Sequence, residues 1–453
     1  MADEPRRGTH GRRHRPRARP SPRAVHRRRD RGRDRALPGG EVDRPVAGHD
    51  DRDPPPRRRR TRNPLDLAPR LGLVIVDRTD EELRYALPCK WGLVEEDVLP
   101  AWVAESDYAW APPIAAALAD AVARGLTGYP DFEVGGALGE AYAGFALRQF
   151  GHEVDPAAVI PTADVTAGVR LALDILSEPG PVIMPIPGYP PQLSIAQVTG
   201  RQRVDLVVDP DAERAEIDLD ALDRLFADGA LTLLLTQPHN PWGRVFTRSE
   251  LEGIRDVVRR HGARVVSDEI HAPLVLDGSP PHTPYLSLDG TADHAVAVVA
   301  GSKAFNTQGL KCAQILAPDP ATRDLLRDVP MARNDSWSPL GVTAAIAAYT
   351  ECDDWLDALR ARLSAQRDLL VDLLAEHLPE ARMRPLEATY LAWIDLRGYG
   401  HDDPAAVALE HGRVRLSPGH DYQPGLPGHV RLNIATSPER LTEIVRRMAK
   451  ALA

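Results

Sequence analysis

The sequence predicts an α/β fold with a mostly parallel sheet in a large domain, joined to a smaller α+β domain. Through the middle of the chain, short apolar runs alternate with segments of helical periodicity, which is typical of parallel strands covered by helices on both faces. The last part of the chain instead shows a long helical pattern, two strands and a final helix. The 453 residues are enough to bury the cores of two or three domains.

The first 62 residues differ from the rest in composition. They hold 21 arginines, no lysine and 9 acidic residues, a net formal charge of +12, whereas the whole chain carries −9. Few aliphatic side chains accompany these charges, so we expect a disordered Arg/Pro-rich tail over 1–66. We favour a solvated tail, or a translation start placed too far upstream, over an arm that binds nucleic acid, because no aromatic residue is present to stack on bases.

Several classes of protein are excluded by what the sequence lacks. The tail has no apolar central run of the kind found in secretory signals, and no stretch of 18 apolar residues predicts a transmembrane helix. Cys89, Cys312 and Cys352 are far apart and odd in number, so they predict neither a disulfide framework nor a metal site. We therefore expect a cytoplasmic protein with no membrane partner and no metal.

The predicted elements follow from local patterns. A helix over 112–127 has Pro near its start and Gly past its end, and a second helix covers Ala137–Phe150. The predicted buried strands are Pro181–Met184, Val204–Val208, Leu231–Thr236, Arg264–Ser267 and Ala295–Ala300, with a helix at Arg248–Arg260. The later elements are a long helical pattern from Val342 to His377, strands at Thr389–Leu396 and Val430–Asn433, and a helix at Pro438–Leu452.

Polar residues follow three of the predicted strands. The motifs are NPWG at 240–243, SDEIH at 267–271 and GSKAFN at 301–306. Because sites in open parallel sheets lie at the carboxyl ends of the strands, we expect these motifs to meet at one edge of the sheet.

Lys303 is the most informative residue of these motifs. The chain has only four lysines, at 90, 303, 311 and 450, among 56 basic residues, so almost every routine surface cation is arginine. A primary amine can condense with an aldehyde to a Schiff base, which a guanidinium cannot do. The lysine therefore indicates pyridoxal phosphate (PLP), which also needs an anion beside its ring nitrogen, a donor to its phenolic oxygen and donors to its phosphate.

Taken together and in this order, the motifs resemble the class I/II aminotransferases of PLP fold type I. Further stretches narrow the resemblance to the MalY/PatB-type cystathionine β-lyases. They are LPAWVAESDY at 99–108, YLAWIDLR at 390–397 and VRLN at 430–433. The resemblance covers about 70–452. It implies a large domain of the aspartate aminotransferase type with a mostly parallel seven-stranded sheet at 113–345, and a small domain from 67–112 and 346–453.

The resemblance also implies roles for individual residues. Lys303 is the catalytic base and covalent anchor, Asp268 pairs with the ring nitrogen, Asn240 donates to the phenolic oxygen, and Tyr189 lies against the ring. Asp268 could otherwise be a helix cap and Asn240 a turn former. The other implied contacts are Val165, Thr166 and Ser302 near the phosphate, His271 near the phenolic oxygen, Arg431 and Ala104 at the substrate, and Tyr129 reaching the phosphate of a neighbouring subunit.

Some positions depart from the family pattern. Asp164 stands where relatives have Gly or Ser, and we expect its side chain to turn away and cap the following helix. Ala300 lacks a hydroxyl that many relatives carry, and Glu105 and Ser106 replace Asp-Met. Lys311 stands where many aminotransferases place a phosphate-binding arginine, and could substitute for it or be exposed.

The resemblance implies a homodimeric enzyme that acts on a small amino acid. The favoured reaction is α,β-elimination from cystathionine or another cysteine S-conjugate to a thiol, pyruvate and ammonia. Transamination between an amino acid and a 2-keto acid is the alternative, since fold and cofactor do not separate the two. A transcription regulator with an aminotransferase-like sensor ranks below both, because 1–62 lack the apolar periodicity of a DNA-reading helical unit.

Overall fold

The computed structural model describes residues 75–131, 136–177 and 179–453. The predicted tail over 1–66 lies outside these residues. The strands are β1 Leu99–Pro100, β2 Val159–Thr162, β3 Val182–Ile186, β4 Arg203–Val207, β5 Thr232–Thr236, β6 Arg264–Asp268, β7 Ala295–Val299, β8 Ala313–Leu316, β9 Arg382–Met383, β10 Leu391–Asp395, β11 Val414–Arg415, β12 Ser417–Pro418 and β13 His429–Asn433.

Helices cover the strands. They are α1 Asp80–Ala86, α2 Pro112–Ala123, α3 Gly136–Phe150, α4 Val165–Leu176, α5 Pro190–Leu193, α6 Ile195–Val198, α7 Leu219–Ala227, α8 Arg248–Arg260, α9 Ser302–Phe305, α10 Pro320–Arg327, α11 Pro339–Glu351, α12 Asp353–His377, α13 Pro404–Gly412 and α14 Pro438–Leu452. None of these helices is long and apolar enough to cross a membrane.

The largest sheet has seven strands in the order β2-β8-β7-β6-β5-β3-β4. All neighbouring strands pair in parallel except β8, which is antiparallel to both β2 and β7. Every residue of β5 and β7 is buried, because helices cover both faces of this sheet. The predicted mostly parallel seven-stranded sheet is confirmed.

The C-terminal part of the chain forms a smaller antiparallel sheet in the order β12-β13-β10-β9. Within it Trp393 is paired with Arg431. A separate parallel pair joins β1 to β11, with Leu99 opposite Val414. The predicted small domain from 67–112 and 346–453 stays a prediction, which this pairing favours; its 345/346 boundary falls inside α11.

Helix ends follow capping chemistry that the sequence carries. Thr247 accepts a hydrogen bond from the Glu250 amide, and the Glu250 carboxylate accepts one from the Thr247 amide at 2.8 Å, so α8 begins with a capping box. The helix predicted over 112–127 ends earlier, at Ala123, because Gly125 adopts a φ of +76° that terminates it. The long pattern over 342–377 is two helices, divided at Cys352.

Candidate active site

A cavity of about 190 Å³ lies beyond the carboxyl ends of the parallel strands β5, β6 and β7. Nine of the eleven residues predicted for the site line it. They are Ala104, Val165, Thr166, Tyr189, Asn240, Asp268, His271, Ser302 and Lys303. The structure therefore brings the three motifs together at one edge of the sheet, as expected.

Lys303 lies in the short helix α9, which directly follows β7. Its Nζ donates a hydrogen bond to the carbonyl oxygen of Ala104 at 2.9 Å. Burial lowers the pKa of the Lys303 ammonium to about 8, while the Glu105 carboxylate acts in the opposite direction. More of this amine is neutral near physiological pH than of an ordinary lysine, which suits a nucleophile and a base.

Asp268 is the last residue of β6 and is buried. One carboxylate oxygen accepts a hydrogen bond from the Ile270 amide at 3.0 Å, and the other accepts one from the Gln192 side chain. Gln192 is held in turn by the Thr236 hydroxyl, which donates to its amide oxygen at 2.9 Å. Burial raises the pKa of Asp268 to about 6, so the carboxylate is still largely ionised at pH 7 and would be stabilised by a cation in the cavity.

Arg431 does not line the cavity but is buried next to it on β13. Its guanidinium donates to Asn240 Oδ1 at 3.3 Å and to the Trp102 carbonyl oxygen at 2.6 Å, and lies 5.1 Å from the centre of the Tyr422 ring. Among the described residues, Nε of Arg431 is buried without a partner and no carboxylate pairs with this side chain. A buried guanidinium whose partners are neutral oxygens is well suited to a carboxylate ligand.

His271 and Tyr189 form further parts of the wall. Burial lowers the pKa of His271 to about 3, and the charges of Lys303 and Arg431 act in the same direction, so this imidazole is neutral at physiological pH. Its Nδ1 is buried without a hydrogen-bond partner among the described residues. Burial also raises the pKa of Tyr189, which is therefore a neutral phenol at the start of α5.

One end of the cavity is formed by helix N-termini. Val165 and Thr166 open α4, and Ser302 opens α9. The Asp164 side chain caps α4 as expected, because its Oδ1 accepts a hydrogen bond from the Ala167 amide at 2.8 Å. The expectation that it turns away is wrong, because Asp164 lines the cavity and its Oδ2 pairs with Lys311 there. Backbone amides at the start of a helix favour a phosphate group.

Ala104 forms another part of the cavity wall. It belongs to the segment 102–106, which we call the strap, and several carbonyl groups of the strap accept hydrogen bonds from side chains. Tyr390 donates to the Ala104 carbonyl at 3.0 Å, beside Lys303. Asn433 donates to the Val103 carbonyl at 2.6 Å and to the Glu105 carbonyl at 2.7 Å. These side chains supply the hydrogen bonds that the carbonyl groups of an irregular backbone would otherwise lack. They also fix the strap in place beside the cavity.

The fully buried Lys90 anchors the strap. Its Nζ donates to the Glu105 carbonyl at 3.0 Å and to Asp107 Oδ1 at 2.8 Å. Sequence reasoning assigned no role to Lys90, although the scarcity of lysine could have singled it out as it did Lys303. It also missed Gln192, for which the sequence carries no signal.

Tyr129 is not brought to this cavity. Its side chain is 90% exposed, and it is not among the lining residues. The expectation that it acts in a neighbouring subunit stays a prediction.

The donors and charges of the cavity fit pyridoxal phosphate. An amine with a lowered pKa, a buried carboxylate, an amide side chain and helix N-termini all face one space. The buried and unpartnered Nε of Arg431 lies at its edge. These are the four kinds of group that the cofactor needs, together with a cation for the carboxylate of an amino acid.

Comparisons with known proteins agree with this geometry. The model of the family "Aminotransferase class I and II" matches residues 102–448. The chain is 38% identical over 374 residues to a cystathionine beta-lyase of Corynebacterium glutamicum, with 82% of this chain and 98% of that protein covered. It is 34% identical over 367 residues to the cystathionine beta-lyase PatB of Bacillus subtilis, with coverage of 79% and 93%. The crystal structure of cystalysin from Treponema denticola, which contains pyridoxal 5'-phosphate, aligns with a TM-score of 0.78 at 26% identity and covers 84% of this chain and 99% of that one.

Proposed function

We propose that this chain, which belongs to the aminotransferase class I and II family, is a PLP-dependent carbon–sulfur lyase. Its substrate is cystathionine or a related cysteine S-conjugate, which it converts with water to a thiol, pyruvate and ammonia. The observation that carries the proposal is that the Lys303 amine and the Asp268 carboxylate line one cavity. The cystathionine β-lyase names of the similar proteins support the choice of reaction.

The cofactor is held by residues at four points of the cavity. Lys303 would bind it covalently, and Asp268, which Gln192 and the Ile270 amide hold in place, would pair with its ring nitrogen. When bound, pyridoxal phosphate supplies an aldehyde that condenses with amines and a protonated ring that accepts an electron pair. The remaining contacts would be Asn240 and His271 at the phenolic oxygen, Tyr189 against the ring, and Val165, Thr166 and Ser302 at the phosphate.

Lys303 moves the proton of the reaction. The free Lys303 amine would accept the proton from Cα of the bound substrate. The thiolate then leaves from Cβ and takes up a proton, which the Lys303 ammonium supplies. A pKa of about 8 permits both steps near neutral pH. The Ala104 carbonyl oxygen accepts a hydrogen bond from the free Lys303 amine, and it accepts another from the Tyr390 hydroxyl.

Arg431 binds the α-carboxylate of the substrate and orients Cα toward Lys303. Replacing Arg431 with lysine is expected to raise KM for the amino acid by roughly tenfold or more, with a smaller effect on kcat, because an ammonium cannot make the two parallel hydrogen bonds of a guanidinium. Steady-state kinetics on L-cystathionine measures the two constants. The exposed Arg446, replaced with lysine in the same way, is the control and leaves both constants unchanged. An unaltered KM in Arg431→Lys contradicts the assignment.

Product analysis separates elimination from transamination. Purified enzyme and L-cystathionine alone are expected to release pyruvate and homocysteine in equal amounts over many turnovers, since elimination consumes no second substrate. Pyruvate is measured with a coupled lactate dehydrogenase assay and the thiol with a disulfide reagent, on a panel of cysteine S-conjugates with and without 2-oxoglutarate. Turnover that requires 2-oxoglutarate and forms glutamate would establish the aminotransferase reaction instead.

The proposal extends to assembly and compartment. The exposed Tyr129 would contact the cofactor phosphate in the cavity of a second copy of the chain, which makes the active enzyme a homodimer. Three free cysteines, one of them exposed, are compatible with the reducing cytoplasm, where we place the enzyme.

A further inference from the structure

Two charged side chains of the cavity form an ion pair that the proposed function does not use. Nζ of Lys311 lies 2.8 Å from Oδ2 of Asp164, and both residues line the cavity at the end where α4 begins. The other oxygen of Asp164 accepts the hydrogen bond of the Ala167 amide at 2.8 Å. One carboxylate thus engages both a helix N-terminal amide and a cation.

These two donors are the kinds of group that bind phosphate. The N-terminus of a helix favours an anion through its free amides and its dipole, and an ammonium adds a full charge. In the described structure the Asp164 carboxylate pairs with this ammonium and accepts a hydrogen bond from one of these amides, that of Ala167. A phosphate dianion that enters this end of the cavity therefore meets a negative charge, and a cation that is already paired.

The ion pair is exposed enough to exchange partners. The side chains of Lys311 and Asp164 are 52% and 39% exposed. Ion pairs at such exposure add little stability and are readily broken, so Lys311 can leave Asp164 for a ligand of higher charge. Lys311 also has φ +56°, and it lies on the short connection between α9, the helix that carries Lys303, and β8.

We propose that Asp164 competes with the phosphate group of the cofactor for Lys311 and repels that group at the start of α4, and so weakens the retention of pyridoxal phosphate by this enzyme. The inference rests on the proposed function, since it takes the cavity to bind that cofactor. It assigns Asp164 a role in addition to helix capping, and it assigns Lys311 to the phosphate once the ligand is bound.

The replacement of Asp164 with asparagine tests the competition without removing the cap. Asparagine caps helices as well as aspartate does, but it carries no charge. In Asp164→Asn the Kd for pyridoxal phosphate is expected to fall roughly five- to tenfold, as for one charge removed a few ångströms from a dianion. The Kd for pyridoxal, which has no phosphate, stays the same. Lys311→Met is expected to raise the Kd for pyridoxal phosphate and again to leave that for pyridoxal unchanged.

The titrations use the full chain freed of cofactor, in phosphate-free buffer, and follow the absorbance of bound ligand. Asp319 is a matched control, because it caps α10 in the same way, accepting from the Thr322 amide at 2.8 Å, and does not line the cavity. Asp319→Asn is expected to change neither Kd. The gain in Asp164→Asn should shrink at 0.5 M salt, since the pair is partly exposed.

Each outcome decides one question. Equal or weaker binding of pyridoxal phosphate by Asp164→Asn overturns the competition, and so does a parallel change in the Kd for pyridoxal, which would report a general distortion of the cavity. If the parent chain binds neither ligand while its thermal unfolding remains cooperative, the proposed function itself fails.

Discussion

Replacing Lys303 with alanine is expected to lower kcat for elimination by at least about a thousandfold, because the variant loses both the covalent anchor and the base that accepts the Cα proton. The visible absorbance of the covalently bound cofactor disappears as well. Both effects are measured on the same preparation, by the pyruvate assay and by an absorption spectrum after gel filtration.

Lys450 offers a control for this variant. It is exposed near the end of α14, and Lys450→Ala is expected to keep the parent spectrum and the parent kcat. Lys303→Ala enzyme in which borohydride still fixes the cofactor on the protein, or which turns over within tenfold of the parent, would contradict the assignment of Lys303.

Replacing Asp268 with asparagine is expected to lower kcat by about 10²–10³, the effect of removing one preorganised charge from the reacting centre. In the proposed site the Asp268 carboxylate would keep the ring nitrogen of the cofactor protonated, which a neutral side chain could not do. KM for L-cystathionine changes less, because Asp268 does not contact the carboxylate of the substrate. Steady-state kinetics at saturating cofactor measures both constants.

The stability of the cofactor-free chain separates this loss from misfolding. Burial raises the pKa of Asp268 from 3.8 to about 6, so ionisation of this group costs folding free energy as the pH rises through that window. Asp268→Asn removes the cost at pH 7 and is expected to unfold at the same temperature as the parent or higher. A clear fall in unfolding temperature would attribute the lost activity to damage instead.

The central strands could be predicted because their residues are almost all apolar and favour a buried strand. The run at 295–299 is wholly aliphatic and is buried on both faces, so a strand and its depth follow from local composition. Val159–Thr162 and Ala313–Leu316 are only four residues long, and Pro161 and Gln314 interrupt their apolar pattern. Their pairing with each other at the sheet edge is a long-range contact that no local window contains.

The candidate site shows the same limit. Lys303, Asp268 and Asn240 could be predicted because each lies at or shortly after the carboxyl end of a strand of one parallel sheet, and topology alone brings such ends together. The scarcity of lysine singles out Lys90, but the sequence does not give its partners, which lie 15 and 17 positions away in the chain. Gln192 carries no such signal, and its partner Asp268 lies 76 positions away. For Asp164, the helix cap could be predicted from its position before α4. The ion pair with Lys311 could not, because the two residues are 147 positions apart in the chain.

Borohydride reduction tests most directly whether one lysine of this cavity carries the cofactor. The purified enzyme is reduced, digested and analysed by mass spectrometry. The phosphopyridoxyl group is predicted on Lys303, in the peptide that spans Gly301–Phe305. A label on Lys90, Lys311 or Lys450, or well-folded enzyme that takes up no label at saturating pyridoxal phosphate, would contradict the proposed site and with it the proposed reaction.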